Sequence, residues 1–344
     1  MPPHPDGRQR RLTLGTEARM LGRGGGAGCR VRGEGIEGVT DSEQGYVIAD
    51  PAKGAGMHSE EGRIEVPGGR VWYRSLGEHA TPLLCLHGGP GFPHDYLEAL
   101  TQLADERRVI FYDQLGCGNS DRPSDTSLWT MDRFVAELVA VREALGLRRV
   151  HLLGNSWGGM LALQYTLDRR PALESLVLVG TPASMPRWSK DCAELLEDEP
   201  AEVRRTIRQH EVNGFTGCPE YQAATLGFYR KHVCRMRPWP LGLERAYAAA
   251  GYDVYHTMIG PSEFTVTGSL RQWDVTERLG EIRVPTLLIG GRHDECRPAH
   301  LEDMRRRISG SRMVTIEDAS HLCFAEQWDA FHTELNRFLA GVEG

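Results

Sequence analysis

The chain has 344 residues, 40% of them hydrophobic and 25% charged, with a formal charge of −7 and a pI near 6.0. That length suits one large α/β domain carrying an inserted subdomain, or two modest domains, and the acidic balance excludes a general attraction to nucleic acid or acidic lipid. No apolar run approaches the ~20 residues that span a membrane, the N-terminus lacks the apolar core of a secretory signal, and scattered cysteines read as buried thiols suggest a reducing, cytoplasmic location.

Residues 1–56 hold 13 of the 40 glycines, and residues 1–32 carry seven arginines against two acids. A basic arm for a polyanion is one reading; low-complexity Gly/Arg composition favours a disordered leader, or an over-long translation start with Met57 just ahead of the first strand pattern. The eight cysteines (29, 85, 117, 192, 218, 234, 296 and 323) show neither a C-x-x-C pair nor zinc spacing. Several lie in apolar runs, as in Leu83-Leu84-Cys85-Leu86, and are expected as buried thiols.

From Arg63 the pattern becomes regular. Ile64 and Val66, a Pro67-Gly68-Gly69 turn and Val71-Trp72-Tyr73 predict a β-hairpin. Pro82–Leu86 and Arg108–Tyr112 read as short apolar strands, each ending in a loop. Apolar residues at helical spacing (Phe134, Leu138, Val141, Leu145) predict a helix over Met131–Leu145. A strand follows at Arg149–Leu153, a helix at Met160–Leu167 and a strand at Leu176–Val179. Such alternation implies right-handed βαβ crossovers and a mostly parallel sheet.

Residues 183–272 interrupt it with helical patterns at Cys192–Leu196, Ala201–Val212, Tyr221–Met236 and Leu243–Tyr255. Strands then resume at Val284–Ile289 and Met313–Ile316, and an amphipathic helix over Glu326–Leu339 closes the chain. The expected organisation is an α/β core of residues 57–182 and 273–344, with 183–272 as a helical cap. The cap should sit over the strand C-terminal ends, where open α/β sheets bind ligands.

Gly154-Asn155-Ser156-Trp157-Gly158-Gly159 falls between a predicted strand and a predicted helix. A G-x-S-x-G in that context is a nucleophile elbow, which holds a serine oxygen above the sheet. A serine needs a base held by a third group, and in this architecture the order is Ser, then Asp or Glu, then His. Asp294 and His321 each follow a strand in that order and complete a triad with Ser156. His79 and His151 lie before or within strands, and His210, His232 and His256 lie in the cap. His293 adjoins Asp294 but points elsewhere. His87-Gly88-Gly89-Pro90-Gly91, after another strand, supplies the Gly89 amide, which would join that of Trp157 in an oxyanion hole.

Together with Asp113-Gln-Leu-Gly-Cys-Gly-Asn-Ser120, Gly260-Pro-Ser-Glu-Phe-Thr265 and His293-Asp-Glu295, these motifs resemble the proline iminopeptidases, α/β-hydrolase serine aminopeptidases that include tricorn-interacting factors. The likeness runs over about residues 60–340. The chain departs from the pattern at Leu115, where many members carry Arg, and at Asn155, often Gly. The resemblance implies that Glu263 and Glu295 receive the free amine of the substrate. Paired carboxylates in a partly desolvated pocket favour a cation. Phe92 and the cap aromatics Trp239, Tyr252 and Tyr255 are candidates to shape that pocket.

The activity expected is release of an N-terminal proline or other small residue from a peptide or amide through an acyl-enzyme, with no metal or cofactor. Removal of an aminoacyl group from a small-molecule amine, such as an aminoacylated natural product, is the alternative. An esterase would leave the two glutamates without a role, a non-catalytic receptor would show a broken triad, and a haloalkane dehalogenase would carry Asp at position 156.

Overall fold

A computed structural model of the chain describes residues 58–78 and 81–344. The leader expected at 1–56, together with His79, lies outside the described residues.

The hairpin forms as read, with β1 (Ser59–Val66) paired antiparallel to β2 (Gly69–Leu76). Most residues of β1 are exposed, as befits a sheet edge. The strands behind it are β3 (Leu83–Leu86), β4 (Val109–Tyr112), β5 (His151–Asn155), β6 (Ser175–Val179), β7 (Thr286–Gly291) and β8 (Arg312–Ile316). They build one eight-stranded sheet in the order β1-β2-β4-β3-β5-β6-β7-β8, parallel from β4 onward. Strands β3 to β7 are buried along their whole length, because parallel strands are covered on both faces; hence their unbroken apolar runs.

Helix α1 (Met131–Ala144) opens on Thr130, whose hydroxyl accepts from Arg133 N–H, and α2 (Trp157–Arg169) follows the elbow. Between β6 and β7 lie α3 (Met185–Leu196), α4 (Ala201–Asn213), α5 (Pro219–His232), α6 (Leu241–Ala248) and α7 (Tyr252–Met258). The chain then adds α8 (Pro298–Arg307), α9 (Cys323–Glu326) and α10 (Trp328–Glu343).

The structure corrects several boundaries. Helix α2 begins at Trp157 and not at Met160, so Gly158 and Gly159 lie inside its first turn. The expected helix over Leu243–Tyr255 is two helices, α6 and α7. The break at 249–251 comes from outside the helix: Ala249 O accepts from Gly118 N–H (3.1 Å), and Gly251 N–H donates to Gly91 O (2.7 Å). Helix α5 stops at His232, four residues before the expected end. Helix α8 and the 3-10 segment His94–Asp105 were not expected at all. Among the described residues all seven cysteines are free, six of them buried, and no helix is long and apolar enough to cross a membrane.

Candidate active site

Ser156 sits at the junction of β5 and α2 with φ 55° and ψ −122°, a positive φ that a non-glycine residue adopts only under constraint. Its N–H donates to Val179 O (2.9 Å), and its carbonyl accepts from Gly159 and Met160 as the helix starts. The glycines around it are demanded by close approach. A Cβ at Gly158 would lie 2.2 Å from Leu86 O, and one at Gly159 would lie 1.9 Å from Thr181 Oγ1.

His321 Nδ1–H donates to Asp294 Oδ1 at 2.7 Å, and the same oxygen accepts from Cys296 N–H (2.7 Å). Both side chains are buried. Burial alone would lower the His321 pKa, but the charge of Asp294 and its hydrogen bond outweigh that and hold the ring above the ordinary 6.5. Room for the pair comes from Gly180, where a Cβ would meet Asp294 Oδ2 and His321 Nδ1 at 2.8 Å each. His232 holds both triad loops. Its carbonyl accepts from His321 N–H (3.1 Å), and its Nδ1–H donates to His293 O (2.9 Å). This histidine, at the end of α5, thus ties together the loops that carry Asp294 and His321.

The loop after β3 is fixed from behind. Gln114 N–H donates to His87 Nε2 (2.8 Å), so the ring proton lies on Nδ1 and is donated to Gly88 O (3.0 Å). Burial pushes the His87 pKa down to about 4, which keeps the ring neutral and this arrangement intact at ordinary pH. The Gly88 carbonyl and the Gly89 N–H share one trans peptide plane and point in opposite directions. Anchoring the carbonyl therefore turns the Gly89 N–H the other way. Gln114 also accepts from Trp157 Nε1 (2.8 Å), linking this loop to the elbow. Among the described residues neither the Gly89 nor the Trp157 backbone N–H donates to a protein acceptor.

Ser156, His321, Gly89, Glu263 and Glu295 line one cavity of about 1060 Å³, its open mouth included. Half-buried Glu263 accepts from Tyr255 O–H at 2.8 Å. Glu295 is 1% exposed, and its Oε2 has no hydrogen-bond partner. Burial, then the charges of Glu263 and Asp294, push the Glu295 pKa well above 4.5. Burial raises that of Glu263 as well, against the opposing pull of Tyr255 and His321. Two carboxylates, one of them unpartnered, thus wait for a cation in the chamber of the serine.

Phe92, Tyr252 and Tyr255 line this cavity as expected. Trp239 does not: it stacks on Tyr247 (5.5 Å between centroids) and donates to Cys234 O. Sequence reasoning missed Tyr96, Tyr221, Tyr229 and Tyr247, whose side chains complete the wall. Spacing alone could not have found them, since core tyrosines have the same pattern. Among the described residues no group of three His, Cys, Asp or Glu side chains could hold a metal ion.

This architecture and this chamber define an α/β hydrolase, and residues 81–327 match the profile of the alpha/beta hydrolase fold. A proline iminopeptidase of Lactobacillus crispatus is 40% identical over 290 residues, covering 82% of this chain and 99% of that protein. Two solved structures are similar over 82% of the chain: a proline iminopeptidase of Mycobacterium smegmatis (39% identity, TM-score 0.76, 98% of that chain) and VinJ (37%, 0.80, 99%). The chain belongs to the proline iminopeptidase family of α/β hydrolases.

Proposed function

We propose that the protein is a serine aminopeptidase that releases an N-terminal amino acid, proline or another small residue, from a peptide or amide. The observation that carries this reading is the pair Glu263 and Glu295 in the cavity of Ser156 and His321. An esterase has no use for two carboxylates there, and leaving Glu295 without a partner costs stability unless a cation arrives. A protonated N-terminal proline carries two N–H bonds, one for each carboxylate. Phe92, Tyr247 and Tyr255 offer apolar faces to its ring, with Phe92 edge-on to Tyr247 at 5.0 Å and to Tyr255 at 5.8 Å.

In this mechanism Ser156 Oγ attacks the first carbonyl carbon while His321 Nε2 takes its proton. The amides of Gly89 and Trp157 hold the oxyanion that forms. As the intermediate collapses, His321 passes its proton to the leaving amine and the acyl-enzyme remains. Water, deprotonated by His321, then attacks the ester; the free amino acid leaves and the proton returns to Ser156. Asp294 holds the imidazole in the tautomer that accepts on Nε2.

The substrate in this reading is a peptide or aminoacylated small molecule, with neither nucleic acid nor membrane as partner. Free, buried thiols support a reducing cytoplasmic setting. The test is a panel of Pro, Ala, Gly, Leu and Phe anilides with free and acetylated amines. Cleavage confined to free amines and led by proline is expected; efficient turnover of acetyl-Pro-anilide would overturn the aminopeptidase reading.

A further inference from the structure

Three polar groups in the cavity wall have no part in those steps: the Gly88 amide, the Tyr96 phenol and the Asn155 side chain. Gly88 N–H donates to Tyr96 Oη at 2.5 Å, and Tyr96 O–H donates to Asn155 Oδ1 at 2.8 Å. Asn155 Nδ2 then donates to Val179 O (3.1 Å), the carbonyl that also accepts from Ser156 N–H. The direction of the relay is forced. Val179 O can only accept, so Asn155 turns its nitrogen there and its oxygen to the phenol. The phenol gives that oxygen its single proton and accepts from Gly88. Tyr96 and Asn155 are both buried, and burial pushes the phenol far above its usual pKa of 10, so it stays a neutral donor.

We infer that Tyr96 and Asn155 are positioning residues that hold the oxyanion loop in register with the nucleophile elbow. The two oxyanion donors belong to different elements: Gly89 to the loop after β3, Trp157 to the first turn of α2. Both must reach one oxygen, so the spacing of loop and elbow decides how well they work. The relay joins the residue before Gly89 to the residue before Ser156. It also occupies the Gly88 N–H, while the neighbouring Gly89 N–H stays free to donate. There is little slack at this joint, since a Cβ on Gly88 would meet Tyr96 Oη at 2.9 Å and Ser156 Cβ at 3.1 Å. Asn155 is a departure from the family pattern noted above. With Gly at that position the phenol would lose this acceptor, so the relay distinguishes this chain from members that carry Gly.

The inference rests on the acyl-transfer reading, and the experiment separates the two. Tyr96→Phe, Asn155→Ala and the double variant are assayed with Pro-anilide. They are also titrated with prolinal, whose aldehyde adds to Ser156 and forms an oxyanion, and with pyrrolidine, which has the amine and no carbonyl. Each single variant should lose about tenfold in kcat, with KM changed by less than about twofold, as expected for a misaligned donor. Prolinal should weaken by the same factor and pyrrolidine should not change. The double variant should be no worse than the poorer single, because both side chains serve one relay.

Wild-type kcat in Tyr96→Phe, or equal weakening of prolinal and pyrrolidine, would overturn the inference. Should Tyr96→Phe not fold, Asn155→Ala keeps the ring packing and carries the same comparison. A wild-type enzyme inactive on every free-amine anilide would instead sink the aminopeptidase reading. The relay is then judged by the kcat of the same variants on a simple ester.

Discussion

Replacing Glu295 by Gln keeps the shape of the amine pocket and removes one charge from it. In the native cavity that carboxylate is buried, has an oxygen without a partner and is destabilised by Glu263 and Asp294. A protonated amine that settles on it meets a desolvated anion, and removing one partner of such a pair costs about 2–5 kcal/mol. At 1.4 kcal/mol per factor of ten, kcat/KM for Pro-anilide should fall by about 30-fold to a few thousand-fold. Glu263→Gln should act in the same direction, and the two losses should not add, since both carboxylates hold one group. The empty enzyme should respond oppositely. Folding raises the Glu295 pKa, so the native state holds that proton more tightly than the unfolded chain does. Stability is therefore lost as pH rises from the unfolded value near 4.5 through the folded one. Glu295→Gln lacks that slope and should melt higher than wild type at alkaline pH while turning over less. Steady-state kinetics on Pro-anilide, acetyl-Pro-anilide and a butyrate ester, paired with thermal melts at pH 5 and pH 8, measure both effects. An unchanged kcat/KM, or a variant that melts lower at pH 8, would refute the reasoning.

Ser156→Ala should remove about 10⁶ in kcat with the melting temperature retained, and Asp294→Asn about 10⁴ through the wrong His321 tautomer; activity near wild type in either would remove the triad assignment. The kcat/KM profile should rise with pH through a midpoint above 6.5, because Asp294 holds His321 in its charged form and the base must be neutral; it should fall again as the substrate amine deprotonates near pH 8. A midpoint below 6.5 would contradict that electrostatic picture. Gly158→Ala should give little folded protein, since the added carbon meets the Leu86 backbone, which cannot rotate away; soluble, active Gly158→Ala would show that the elbow tolerates a looser packing against β3.

Much of this was legible in the sequence, for local reasons. The glycines flanking Ser156 are forced by contacts within a strand-turn-helix, so the motif carries its own geometry. Asp294 and His321 could be placed because each follows a buried parallel strand, whose apolar run is easy to see. Glu263 and Glu295 were different: nothing in their neighbourhoods sets them apart from solvated acids, and only the family resemblance pointed to them. Features made by distant contacts stayed hidden. The break between α6 and α7 comes from Gly91 and Gly118, more than a hundred residues away. The fixing of Gly88 by His87 and Gln114, and the relay through Tyr96, join segments whose sequences give no sign of meeting. The start of α2 was misplaced for a related reason. Two glycines read as turn formers, but here they are small residues that let the first helical turn press against β3 and Thr181.

The hydrogen bonds between the inserted helices and the triad loops also bear on modularity. The end of α5 is bonded to the backbone of both His293 and His321, and Gly251 is bonded to Gly91 in the oxyanion loop. An insertion attached to its host by surface side chains could be exchanged between relatives as a cassette that changes specificity and leaves the reaction alone. Here two of the three joints run from main chain to main chain and the third joins the His232 ring to the His293 carbonyl, all within a residue or two of the proposed catalytic groups. A chimera that imports a foreign insertion therefore imports new coordinates for the base and for the oxyanion loop. Grafts meant to retune substrate choice should move the segments containing Gly91, His293 and His321 together with the helices.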